Sequence, residues 1–165
     1  GRVWVAAGIY DKGGRRFGTE AVTNRVIVTN DVRVCAVDGP SATFIVGAPS
    51  PVGDPANGGL GDGATRGVRL LGGAQLIGFS VSNGYTRWIN GTTLNADYSG
   101  GGIYAPDTSA VISNCWVEGC LAACYGGGIY QGSVIGSRVM GSQARNSSGK
   151  GGGLYKSEMR DSLSS

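Results

Sequence analysis

Histidine is absent from this 165-residue chain, and with it go the commonest general base and the commonest metal ligand. No Ser-His-Asp or Cys-His arrangement is open to it. Charge is sparse, at 15% of residues with a net charge of +3. The densest basic stretch is Lys12, Arg15 and Arg16, and two glycines interrupt it. A nucleic-acid surface carries a denser basic stripe interleaved with aromatics, so no nucleic-acid partner is expected. No apolar run approaches the ~18 residues that cross a bilayer, which argues against a membrane span in this segment. No stretch holds a 3.6-residue period over a useful length, so helix content should be near zero.

The cysteines are Cys35, Cys115, Cys120 and Cys124, with no Cys-x-x-Cys pair among them. Without histidine to complete a ligand set, no zinc site, other metal or cofactor is expected. Cys120 and Cys124 flank Leu121-Ala122-Ala123 at a turn and are expected to be able to close a small disulfide, a bond that an extracellular setting favours. Cys115 reads as an inward-packed thiol, and Cys35 has no evident partner. The loop acids Asp54, Asp62, Asp97 and Asp107 are scattered, and no catalytic residue is assigned.

What the chain has in excess is glycine, 32 residues of 165 against a usual ~7%. There is no Gly-X-Y period, which excludes collagen. The glycines concentrate in a unit written three times: Gly100-Gly101-Gly102-Ile103-Tyr104, Gly126-Gly127-Gly128-Ile129-Tyr130 and Gly151-Gly152-Gly153-Leu154-Tyr155, spaced 26 and 25 residues apart. A fixed period in this range marks a solenoid, each unit one coil stacked on the last. Between the triplets, Ile112, Cys115 and Val117 fall onto Val134, Ser137 and Val139 at an offset of 22 residues, and onto Leu76, Phe79 and Val81 at 36. In stacked parallel coils equivalent residues lie one above another. Ile103, Ile129 and Leu154 should then form one inward ladder, and Val81, Val117 and Val139 another. Tyr104, Tyr130 and Tyr155 should stack on an outer face or corner with their hydroxyls in water. The triple glycine suits a sharp corner with positive φ.

These units, with Ile112-Ser113-Asn114-Cys115-Trp116-Val117-Glu118-Gly119 between them, resemble right-handed parallel β-helix repeats of the bacterial secreted or surface type. They are similar to polymorphic outer-membrane proteins and autotransporter passengers. Val3 to Tyr10 and Val34 to Gly47 resemble the opening coils of such proteins. The resemblance implies an all-β, single-stranded right-handed parallel β-helix of about five to six coils with almost no helix. It also implies a single domain over residues 1–165, expected to be a segment of a longer chain, and a place outside the cell or on a bacterial surface.

Two insertions break the repeat, residues 47–65 and 84–99, and both should emerge at the same corner one coil apart. The second carries Tyr85, Arg87, Trp88, Asp97 and Tyr98, aromatics with a cation and an acid, which suit contact with a glycan or a cell-surface protein. Covering hydrophobic ladders is the competing use for them. Two sequons, at Asn90 and Asn146, matter only in a eukaryotic secretory pathway and are read as chance. The sequence therefore points to a non-enzymatic structural or adhesive module. A carbohydrate-active β-helix enzyme, such as a polysaccharide lyase or glycoside hydrolase, is the alternative. So is a homo-oligomer formed by end-to-end stacking, because strand edges at open ends invite pairing.

Overall fold

The computed structural model describes residues 1–89, 95–145 and 150–165. Both sequons and part of the second insertion lie outside them. The chain is a parallel β-helix. Short strands recur in the order first sheet, second sheet, third sheet as the chain winds. The first sheet stacks Arg2–Val5, Arg33–Ala36, Gln75–Ile77, Val111–Ser113, Ser133–Ile135 and Glu158–Arg160. The second stacks Gly8–Tyr10, Thr43–Val46, Ser80–Ser82, Trp116–Glu118, Arg138–Met140 and Leu163–Ser164. The third stacks Thr23–Val28, Thr65–Leu70, Ile103–Tyr104, Ile129–Tyr130 and Leu154–Tyr155. One short 3₁₀ turn, Pro55–Asn57, is the only helical element among the described residues.

Register stacks like on like. Val26, Val68, Ile103, Ile129 and Leu154 run down the inside of the third sheet. Ile45, Val81, Val117 and Val139 do so in the second, and Val34, Leu76, Ile112 and Val134 in the first. These ladders make one continuous core, completed by Phe79, Cys115 and Cys120. Each inward residue needs its exact parity, since a slip of one would turn a Val or Ile to solvent.

The corner between the first and second sheets is two residues long in every coil but the second. From the third coil to the sixth its first residue is Gly78, Asn114, Gly136 or Asp161, each at positive φ, and these are the residue types that tolerate that conformation. The next residue points inward. Ser137 and Ser162 use their hydroxyls there to accept an amide from the preceding coil and donate to the carbonyl two residues back. Cys115 occupies the equivalent place, its thiol on the Ser113 carbonyl.

The triple glycine has two different reasons. Only the first of each triplet, Gly100, Gly126 and Gly151, sits at positive φ. The second and third are excluded volume. A Cβ on Gly127 would lie 2.1 Å from the Gln143 carbonyl oxygen, and one on Gly128 would lie 2.6 Å from both the Gly153 oxygen and Val139 Cγ1. Turn geometry explains one glycine in three; close backbone approach demands the other two.

Candidate functional site

Variation in coil length collects at the corner between the second and third sheets, where residues 11–22, 47–64 and 83–102 all emerge. In the fourth and fifth coils this corner instead forms a small arm in which Leu121–Ala122 pairs with Gln143–Ala144. Tyr85 bridges to Leu121, and Ser99 to Tyr125. The arm and insertions fold back over the outside of the third sheet. There they enclose a second apolar cluster, separate from the coil interior, of Leu60, Ala123, Cys124, Tyr125 and Tyr130, with Tyr85, Trp88, Tyr98, Tyr104, Leu121 and Tyr155 against it.

The tyrosine ladder lies under this cover. Tyr104 stacks on Tyr130 with ring centroids 5.0 Å apart and planes 7° from parallel, and Tyr130 on Tyr155 at 5.6 Å. The rings are covered there to differing degrees, Tyr104 and Tyr155 being half-buried. Tyr130 is 8% exposed, because the insertions and arm close over the outer face. The disulfide expectation is corrected: no bond joins Cys120 to Cys124. The chain passes through the wall between them, leaving Cys120 in the coil interior and Cys124 in the outer cluster. Burial raises the thiol of Cys115 to about 11 and that of Cys120 to about 12, so neither is a nucleophile at neutral pH.

The five residues singled out in the second insertion do converge on this corner, chiefly to hold it together. Asp97 accepts from the amides of Ala21 and Val22 at 2.8 and 2.9 Å, fastening the first coil's loop to the third coil. Arg87 reaches Asp62 of the other insertion through Nε at 2.7 Å and Nη2 at 2.5 Å. Tyr85, Trp88 and Tyr98 pack against the outer cluster. Other loop acids also serve local geometry: Asp54 accepts from the Ala56 amide and Asp107 from the Ser109 amide.

A polar centre that sequence reasoning missed lies beside the tyrosines. Arg66 is fully buried. Its Nε donates to the Gly100 carbonyl at 2.7 Å, its Nη1 to Asn24 Oδ1 at 2.8 Å, and its Nη2 to the carbonyls of Ser99, at 2.8 Å, and Ala96. Burial lowers its pKa to about 10, which leaves it charged at neutral pH. Arg69 pairs with Glu20 at 2.7 Å and lies between the rings of Phe17 and Tyr104, 4.4 and 5.0 Å from their centroids. Among the described residues its Nε and Nη1 have no hydrogen-bond partner, and the flanking π faces compensate for this in part. Burial outweighs the attraction of Arg69 and Arg66, so the Glu20 carboxyl sits above its ordinary value. The available signal was the paired arginines in Arg66-Gly67-Val68-Arg69, charges set in a run that continues into Leu70 and Leu71.

Chemically, this centre is a clamp. Its cations are used on carbonyls, a carboxylate and rings, and no group of three potential metal ligands occurs among the described residues. No described helix is long and apolar enough to cross a membrane. The chain matches no protein-family model, no curated protein and no solved structure.

Proposed function

We propose that the chain is a non-enzymatic β-helix module of a secreted or cell-surface protein, a rigid structural element that adheres to glycan or protein. The observation that carries this reading is the use made of the charged groups at the variable corner. Arg66, Arg69, Arg87, Glu20, Asp62 and Asp97 are all engaged with one another or with backbone. General acid–base catalysis needs a group within reach of a substrate proton and at liberty to exchange it; these groups are committed to joining coils. Placement outside the cell, on a bacterial surface, follows from the resemblance of the repeats.

The test is to expose the chain to an oligosaccharide and polysaccharide array and to intact cell surfaces, following both retention and release of new chain ends. Retention without release is the expected outcome. Depolymerisation of a bound glycan would overturn the non-enzymatic reading in favour of a carbohydrate-active enzyme. Failure to bind glycans and cells alike would overturn the adhesive one.

End-to-end association is a second reading with its own support. In the inward ladder of the first sheet, Val3 at one end rung is 48% exposed and Met159 at the other is 39% exposed. A further coil, from elsewhere in the same protein or from a second copy, would continue that ladder. Light scattering that grows with concentration supports the second copy, and a strict monomer at high concentration removes it.

A further inference from the structure

The second sheet carries an opening of a different kind on its outer face, away from the insertions. Phe44, Ser80 and Trp116 are in register on three successive rungs. The small residue in the middle leaves a gap between two aromatics. A cavity of about 290 Å³ lies here, lined by Phe44, Ser80, Trp116, Glu118, Arg138 and Met140. Trp116 is 37% exposed. The floor is fixed, because the Ser80 hydroxyl donates to the Pro40 carbonyl at 2.7 Å. The Arg138 guanidinium lies over the Trp116 ring, 5.7 Å from its centroid.

We propose that Phe44 and Trp116 are the walls of a slot that takes one neutral pyranose ring of a glycan. This rests on the adhesive reading above and supplies it with a site and a ligand class. Spacing is the main argument. Two rungs separate the walls by about 9.6 Å, and a ring held between two surfaces at carbon contact distance needs about 7–8 Å. The tyrosine ladder shows the contrast: with aromatics on adjacent rungs, the rings stack on each other at 5.0 and 5.6 Å and leave nothing open.

Rim chemistry selects the ligand further. Glu118 and Arg138 bring one charge of each sign, which favours a neutral ring over a uronic acid or sulfated sugar. A pyranose offers C–H faces to the aromatic walls and hydroxyls that both donate and accept at its edge. The Arg138 guanidinium supplies donors, and the Glu118 carboxylate supplies acceptors. The volume is at the low end for ligand pockets, so it holds a single residue of a longer chain and not a whole oligosaccharide.

The experiment titrates chitohexaose and cellohexaose into wild type, Trp116→Ala, Phe44→Ala and the control Trp4→Ala, by calorimetry and by the Trp116 indole N–H resonance. The expected result is binding by wild type and Trp4→Ala, a shift of the Trp116 resonance, and affinity at least about tenfold weaker in both slot variants at unchanged melting temperature. If Trp116→Ala does not fold, Phe44→Ala and the wild-type resonance decide the matter. Equal affinity in the slot variants, or an unmoved resonance on binding, would overturn the slot while leaving the adhesive reading standing. Binding of neither probe by wild type overturns the neutral-pyranose slot, and the adhesive reading then depends on the wider array and the cell surfaces alone.

Discussion

Glu20 shows how far a single side chain at the variable corner departs from its behaviour in water. It is drawn under the first coil's loop to meet Arg69 at 2.7 Å, yet burial raises its pKa above the ordinary 4.5. A carboxyl with a higher pKa folded than unfolded holds its proton more tightly in the folded chain. Its contribution to stability is therefore fully present below pH 4.5 and is lost as pH climbs through the raised value. Glu20→Gln removes this titration. Urea unfolding of both proteins from pH 4 to 7 should show wild type gaining on the variant as pH falls. A difference that stays constant across that range would mean burial does not dominate. The residue was illegible in the sequence because it lies in a glycine-punctuated stretch with no period, 49 positions from its partner.

At the scale of the strand and corner, glycines that look alike in the sequence have unequal duties. Gly128 faces the interior, where a methyl group would meet both the Gly153 carbonyl and Val139. Gly128→Ala should cost about 2–3 kcal/mol by overpacking. Gly136 has open space around it and needs only its positive φ. There Gly136→Asn should be nearly neutral, as Asn114 is one coil earlier, while Gly136→Val should cost about 1–2 kcal/mol. Chemical denaturation of the three variants checks the order, and an alanine at 128 as mild as an asparagine at 136 would refute the packing account.

The inward ladders were legible because stacked coils force the same side chain to recur at the same phase. Repetition reports what is repeated. It was silent on the outer cluster, since Leu60, Trp88 and Cys124 come from segments of unequal length with no common pattern. The disulfide expectation failed for a related reason: spacing along the chain does not reveal that residue 120 faces one side of the wall and residue 124 the other. Trp116 over Ser80 was within reach, being fixed by the same 36-residue offset that matched Val117 to Val81. So was Phe44, which precedes Ser80 by the same 36 residues as Ser80 precedes Trp116.

For the whole molecule, the arrangement departs from a simple sum of nearest-neighbour coils. Asp97, in the third coil, accepts from the Ala21 and Val22 amides of the first, and Arg145, in the fifth, donates to the Ala56 carbonyl of the second. Arg66 of the second coil holds Asn24 of the first and the carbonyls of Ser99 and Gly100 of the third. The outer cluster adds Tyr125 and Tyr130 of the fourth coil and Tyr155 of the fifth. The sixth, Glu158–Arg160 and Leu163–Ser164, contributes no residue to either. Pulled from its two ends, the molecule should therefore not unravel like thread from a spool, one turn per step. The last turn should tear away at low load, and the five bound by the buried arginine and the tyrosines should yield together in one larger rupture. Optical-trap extension distinguishes the two behaviours, and a staircase of five similar steps would show that the buried arginine and the tyrosine cover bear no load.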